Sequence, residues 1–207
     1  MTLRKLLYNI VGEEPYLKEE LDLSDTEITR FTAEDKTYIE KWCPNITKLN
    51  LTNTCLRSLE NLPMLPKLEE LVLSRNKLMS KDFAEIHTLV TLETLRVDHN
   101  QIKAALVFRF LNNIKSLRHF HIRGNEVNVT DKYMWKILPF LETVDGVNKQ
   151  GEIVEVIESS EDEDVSQSVG GTEITQETRG NPSELNEEMK QTIGLDDTRK
   201  PRKRKYK

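Results

Sequence analysis

Apolar residues recur along the first two thirds of this chain in one eleven-position phrase. It reads Ile46-Thr-Lys-Leu49-Asn-Leu51-Thr-Asn-Thr54-Cys-Leu56 and returns as Leu68-Glu-Glu-Leu71-Val-Leu73-Ser-Arg-Asn76-Lys-Leu78. The third and fourth copies are Leu92-Glu-Thr-Leu95-Arg-Val97-Asp-His-Asn100-Gln-Ile102 and Leu117-Arg-His-Phe120-His-Ile122-Arg-Gly-Asn125-Glu-Val127. Successive copies start 22, 24 and 25 residues apart. Within each, apolar residues alternate with others, and a period of two marks a short strand. Leu49 and Leu51, Leu71 and Leu73, Leu95 and Val97, and Phe120 and Ile122 therefore face one core. Asn76, Asn100 and Asn125 follow the strands, where the chain turns. A buried amide there satisfies backbone groups that a tight turn leaves unpaired. Thr54 holds that place in one copy and offers a hydroxyl for the same task.

The shared template, L-x-x-L-x-L-x-x-N-x-L, is that of the leucine-rich repeat. One unit has too little apolar surface to fold alone, so units stack around a continuous core. The expected fold is an α/β leucine-rich repeat solenoid with a parallel concave sheet and a helical or irregular convex side. A weaker copy precedes the others at Leu21-Asp-Leu23-Ser-Asp-Thr26-Glu-Ile28. After it, Thr32-Ala-Glu-Asp35 resembles a capping box, with Asp in place of the usual Glu or Gln. It opens a helix through Ile39 to about Trp42, which Cys43-Pro44 ends. Asp82-Phe-Ala-Glu85 is a second helix start on the convex side. Leu3 to Val11 reads as a short amphipathic helix closing the N-terminal end of the stack. From Asp131 to Gly146 the chain leaves the template: a helix with Trp135, Ile137 and Leu138 runs into Pro139, and Leu141 and Val144 form a last strand. That stretch is read as a C-terminal cap, since a terminal repeat needs a face that meets water.

Composition divides the chain near residue 151. Residues 1–150 hold 21 acidic and 21 basic residues, whereas 151–207 hold 14 and 9, which supplies the whole net charge of −5. The expected domains are 1–151, a repeat domain with terminal caps, and 152–207, a disordered acidic tail ending in a basic segment. A body of ~150 residues buries about 68–70% of its unfolded surface, enough for one core. The tail is poor in aromatic residues and rich in Glu, Ser, Thr and Gln, so it cannot offset its ordering entropy. Nine acids and no bases fall between Gln150 and Thr178, and seven of the nine residues from Arg199 are basic. Blocks of both signs point to regulated partners rather than to a bulk polyanion.

Several function classes drop out. Cys43 and Cys55 lack the spacing of a metal site and cannot form a disulfide framework. No run of ~18 apolar residues exists, so no membrane span is expected. The N-terminal apolar run is too short and interrupted for a signal peptide. For that reason Asn45-Ile-Thr47, Asn50-Leu-Thr52 and Asn128-Val-Thr130 are discounted as glycosylation sites. Glycine-rich phosphate loops, His-Glu-x-x-His, Gly-x-Ser-x-Gly and Cys-x-x-Cys are all missing, and neither an enzyme nor a cofactor is expected.

The body resembles the acidic leucine-rich nuclear phosphoprotein family. The residues that carry this are Leu21-Asp-Leu23, Leu59-Glu-Asn-Leu-Pro63, Leu65-Pro-Lys-Leu68 and Glu70-Leu-Val-Leu-Ser-Arg-Asn76. With them goes the ending Leu138-Pro-Phe-Leu-Glu-Thr-Val-Asp-Gly146, and the likeness covers about residues 16–150. It implies a nuclear, non-enzymatic interaction module that binds histones or other basic chromatin proteins, with links to chromatin regulation, phosphatase inhibition and acetyltransferase control. It also implies shuttling to the cytoplasm. Two departures stand out. The family's tail is a long, nearly pure Asp/Glu run, whereas the densest acid here is Glu158-Ser-Ser-Glu-Asp-Glu-Asp164, and the cap has Tyr133-Met134 where Tyr-Arg is common. Spliceosomal leucine-rich proteins have related endings, so a structural subunit of a ribonucleoprotein is the alternative.

Three surfaces are candidates for binding. Residues alternating with the core leucines line the concave sheet: Glu20 and Asp22, Lys48 and Asn50, Glu70 and Val72, Arg96 and Asp98, and His119, His121 and Arg123. This is either a solvated face or a charge-graded groove for a basic or mixed-charge protein segment. His119 and His121 project together, but no carboxylate or thiol completes a metal set. The second surface is Ile153, Val154, Val156 and Ile157, a β-branched run ahead of the acids. It resembles the motif that binds small ubiquitin-like modifiers by adding an edge strand; otherwise it folds back on the cap. Ser159 and Ser160 each have an acid three residues on, which resembles the acid-directed phosphorylation typical of the family. The third surface is basic: Arg199, Lys200, Arg202, Lys203, Arg204 and Lys205 read as a nuclear localisation signal for an import receptor. Its rival is a nucleic-acid contact, which lacks an aromatic platform and a basic groove. A monomer is expected.

Limited proteolysis of the full chain should leave a resistant fragment ending between about residues 145 and 160. The boundary rests on the loss of apolar periodicity together with the change in charge. Protection reaching past about residue 175 would contradict it.

Overall fold

The computed structural model describes residues 3–12, 14–127 and 129–154. Six short parallel strands, one per unit, stack in chain order: β1 (Glu20–Asp22), β2 (Lys48–Asn50), β3 (Glu70–Val72), β4 (Thr94–Arg96), β5 (His119–His121) and β6 (Thr143–Val144). A seventh, β7 (Val147–Asn148), turns back antiparallel to β6. The template aligns the register. Leu21, Leu49, Leu71, Leu95, Phe120 and Val144 form one column of central positions, with a core-facing side chain in every strand. The ladder runs past the assigned strands, because Leu23, Leu51, Leu73 and Val97 each donate a backbone N–H to the following unit at 2.8 Å.

The convex side is heterogeneous, and local sequence explains each piece. Helix α2 (Ala33–Trp42) starts on a complete capping box. Thr32 Oγ1 accepts from Asp35 N at 3.1 Å, and Asp35 Oδ2 accepts from Thr32 N at 2.9 Å. Opposite β3 and β4 the expected helix beginning at Asp82 is instead a 3-10 helix over Ser80–Thr88. The spacing of its buried side chains selects that form. Ser80, Phe83, Ile86 and Leu89 recur every third residue, and a helix with three residues per turn puts them on one face. Asp82 Oδ2 accepts from Met79 N at 2.7 Å, inside the first turn rather than ahead of it. Helix α3 (Leu106–Leu111) buries Phe108 edge-on against Phe120, with ring centroids 6.3 Å apart.

Both ends are closed. Helix α1 (Leu3–Val11) meets β1 and α2 at the N-terminal end and buries Leu7. In the C-terminal cap, α4 (Asp131–Ile137) buries Met134 and Leu138 follows it into the core. The expected last strand from Leu141 needs correcting. Leu141 lies two residues before β6, as Leu68, Leu92 and Leu117 lie before their strands, and it is the opening leucine of a further, truncated unit. Past β7 the backbone pairs once more, with Asn148 N donating to Glu152 O at 2.9 Å and Val154 N to Gly146 O at 2.8 Å.

Two further columns hold the turns. Asp25, Asn53, Arg75, His99 and Gly124 occupy the same place after successive strands, and all have left-handed backbones with φ between 53° and 67°. Immediately after them come polar side chains, buried at Thr54, Asn76 and Asn100 and half-buried at Asn125. Asn76 Nδ2 donates to Leu73 O in its own turn at 3.0 Å and to Leu51 O in the preceding unit at 2.7 Å. Asn100 repeats this on Val97 O and Leu73 O, and Asn125 on Ile122 O and Val97 O. Each Oδ1 accepts a backbone N–H from the preceding unit: Leu56, Leu78 and Ile102 respectively. Thr54 spends its hydroxyl on Leu51 O at 3.1 Å.

Replacing Asn100 by Ala should cost roughly 1–3 kcal/mol in urea unfolding, since Leu78 N, Leu73 O and Val97 O lose a buried partner. A change within error would mean that water reaches this turn. Gly124→Ala should destabilise for two separable reasons. Its φ is +67°, and a Cβ would sit 2.3 Å from His99 Nδ1. Adding His99→Ala to it should recover only the part due to the ring.

Candidate binding face

The strand register decides what the concave face presents. One row reads Glu20, Lys48, Glu70, Thr94, His119 and Thr143, and the other Asp22, Asn50, Val72, Arg96 and His121. Nine of the eleven residues expected there lie in these rows. Asp98 and Arg123 lie two positions past β4 and β5, at the start of their turns. Thr94 and Thr143 take the strand places instead. Counting back one position from Leu95 and Val144 finds both, as it finds Lys48 and Glu70 ahead of Leu49 and Leu71.

The charges are largely spent on one another. Glu70 lies between two cations, with Oε2 3.3 Å from Lys48 Nζ and Oε1 3.3 Å from Arg96 Nε. Asp98 is a turn ligand: its Oδ1 accepts from Arg123 N at 2.8 Å and its Oδ2 from Ser74 Oγ at 3.3 Å. Arg123 reaches the cap, donating from Nη2 to Asp145 O at 2.6 Å. Glu20 is exposed at the β1 end and makes no ion pair among the described residues. Beside it, burial of Asp22 works against its ionisation, but hydrogen bonds from Ser24 and Asn50 and the Lys48 charge outweigh that and hold the carboxyl below its ordinary 3.8. The face therefore has a free acidic end at β1, a neutralised middle, and cationic and imidazole groups toward β5.

His121 is the least satisfied group on it. Its Nε2 is buried without a hydrogen-bond partner. Burial and the Arg96 charge push its pKa below the ordinary 6.5, against the pull of Asp98 and Asp145. His119 is held by Thr143, with Nδ1 and Oγ1 2.9 Å apart. Among the described residues no group of three or more His, Cys, Asp or Glu is arranged to hold a metal ion. Burial pushes the Cys43 thiol up to about 11, so it stays protonated at neutral pH, and Cys55 is half-buried. No described helix is long and apolar enough to cross a membrane.

Of the tail candidates, Ile153 and Val154 are placed beside the cap with exposed side chains. Val156, Ile157, Ser159, Ser160 and the basic residues Arg199, Lys200, Arg202, Lys203, Arg204 and Lys205 lie outside the described residues.

Comparison with known proteins supports the repeat and the resemblance. No protein-family model matches the chain. It is 27% identical over 148 residues to an acidic leucine-rich nuclear phosphoprotein 32-related protein of Plasmodium falciparum (isolate 3D7), covering 69% of this chain and 52% of the relative. It is 32% identical over 104 residues to acidic leucine-rich nuclear phosphoprotein 32 family member A of Drosophila pseudoobscura pseudoobscura, covering 49% and 39%. This is a leucine-rich repeat protein similar to the acidic leucine-rich nuclear phosphoproteins. The match spans about half the length of these curated relatives or less. Among solved structures, a chain of the Drosophila melanogaster SNF/U2A′ complex superposes with a TM-score of 0.57 at 20% identity, over 72% of this chain and 84% of that one. At that identity the likeness establishes the fold alone.

The repeat protein should lose stability as pH falls below about 6.5. The His121 pKa is lower folded than unfolded, so its contribution is complete above 6.5 and disappears as pH drops through the folded value. His121→Gln should flatten that limb in urea titrations at successive pH values. An unchanged slope would assign it to other groups.

Proposed function

We propose that the protein is a non-enzymatic nuclear interaction module that binds histones or other basic chromatin proteins. The concave face engages the partner, and the acidic stretch Glu158–Asp164 captures it from solution. The observation that carries this reading is the β1 end of the concave face. There an unpaired Glu20 stands beside an Asp22 held ionised, on a rigid sheet whose other carboxylates are occupied. Two adjacent carboxylates without an ion-pair partner among the described residues favour a cationic segment, and the Ser24 N bond to Asp22 Oδ1 has already oriented one of them. The similarity to proteins named nuclear phosphoproteins supports a nuclear setting. In the same reading the basic terminus engages an import receptor, and Ser159 and Ser160 take phosphate. Ile153 to Ile157 is the stretch that fits a small ubiquitin-like modifier. The folded part acts as a monomer.

Surface electrostatics of this kind is screened over about 8 Å at physiological salt, so binding should weaken steeply with ionic strength. Glu20→Lys with Asp22→Lys should abolish histone pull-down. Deleting residues 158–164 should only reduce it, mainly through the association rate. Loss of all binding on the deletion alone would leave the folded body a carrier. If co-purification recovers a small nuclear RNA with a partner protein and no histone, the chain is a ribonucleoprotein subunit instead.

A further inference from the structure

A second concavity lies at the far end of the solenoid, away from the strand rows. It is an open cleft of about 400 Å³ between α4 and the β6–β7 hairpin, lined by Lys132, Trp135, Val144, Val147 and Lys149 among others. Its floor is apolar, with Val144 buried and Trp135 and Val147 half-buried, while Lys132 and Lys149 stand exposed at its rim. Lys149 Nζ lies 5.5 Å from the Trp135 ring centroid and donates to Pro139 O at 2.7 Å. An ammonium beside an indole is drawn to the negative face of the ring, which fixes one cation at the cleft's edge. Among the described residues neither lysine is paired with a carboxylate. Glu152, the nearest acid in sequence to Lys149, is bonded to Asn148 Nδ2 at 2.8 Å.

An apolar floor with two cations on the rim suits a segment that combines aliphatic side chains with carboxylates. The chain carries such a sequence where it leaves the cap. Val154 is tied to Gly146 O of the β6–β7 turn, and after it come Glu155-Val156-Ile157-Glu158-Ser159-Ser160-Glu161-Asp162-Glu163-Asp164. Ten residues reach at most about 33–36 Å, ample for a cleft beside their point of departure. Exposed lysine–carboxylate pairs are individually weak. A short tether, however, holds the segment at an effective concentration on the order of millimolar, so even a weak contact is populated.

We propose that residues 155–164 occupy this cap cleft in the free protein. Val156 and Ile157 rest on Trp135, Val144 and Val147, and the acids that follow meet Lys132 and Lys149. The cleft then competes with any partner for the same stretch, whether that partner is a ubiquitin-like modifier or a basic protein. Phosphate on Ser159 or Ser160 would add about 1.5–2 negative charges per site and favour the docked form. This regulates the capture step of the function proposed above and rests on that reading only for its consequence; the docking is independent of it.

Zero-length carbodiimide coupling of the full chain at micromolar concentration, mapped by mass spectrometry, tests it without any partner. Lys132 and Lys149 should couple within one molecule to carboxylates of 155–164, at several times the yield with which the same carboxylates couple to the exposed Lys67. Val156→Ser with Ile157→Ser should lower that yield several-fold while leaving the described fold untouched, and ~0.5 M NaCl should lower it as well. Yields unaffected by the double substitution would reflect the nearness of a tethered chain and overturn the proposal. Coupling that grows with protein concentration would make a second copy the occupant and overturn it equally. Histone pull-down plays no part in either outcome, so failure of the partner reading leaves this result standing.

Discussion

The structure depends on a side-chain amide that belongs to two units at once. Asn76, Asn100 and Asn125 each donate to the carbonyl of their own turn and to one in the unit before, while accepting an N–H from that same earlier unit. The bonds of Asn76 and Asn100 to these groups are buried beneath exposed turn residues, so the backbone groups they serve have no water to fall back on. Leucines supply the driving force for stacking, but apolar burial is non-directional and tolerates sliding. The amides are directional, and they hold successive units in one register. The concave residues from Lys48 to His121 share that alignment, while β1 joins it through backbone bonds, Leu23 N to Asn50 O and Ile28 N to Thr54 O, both at 2.8 Å.

A face positioned so rigidly can leave some of its charges unpaired. Glu70 sits between Lys48 and Arg96, and Asp98 serves a turn, so two of the four acids on or beside the strands are consumed by the protein itself. What is left is asymmetric: carboxylates at the β1 end, and toward β5 the two histidines beside an Arg96 that shares Glu70 with Lys48. A charged segment laid along such a surface would gain most with its cationic part at β1, and reversing it would bring like charges together.

The repeat was legible in the sequence because both of its signals are chemical. Leucines at fixed spacing and asparagines in the turn each require one residue type, and the columns fell where the template put them. The left-handed column was not legible. Asp25, Asn53, Arg75 and His99 share a backbone conformation but not a side chain, and only Gly124 carries a residue that announces it. The form of the 3-10 helix was written in the spacing of Ser80, Phe83, Ile86 and Leu89, where a possible cap at Asp82 drew attention to a different start. Thr94 and Thr143 follow from register alone, one position before Leu95 and Val144, in the row of Glu70 and His119. The cap cleft gave no sequence signal, since Trp135 and Lys149 come together only through the β6–β7 turn.

The threonine at position 54 has a consequence for how the second unit depends on the third. Its hydroxyl has two acceptors within reach, Leu51 O at 3.1 Å and Asn76 Oδ1 at 3.0 Å, and Asn76 Oδ1 also accepts the backbone N–H groups of Thr54 and Leu56. The second unit's turn is thus completed by an atom of the third. Removing the Asn76 amide would therefore open two turns, its own and the one before it.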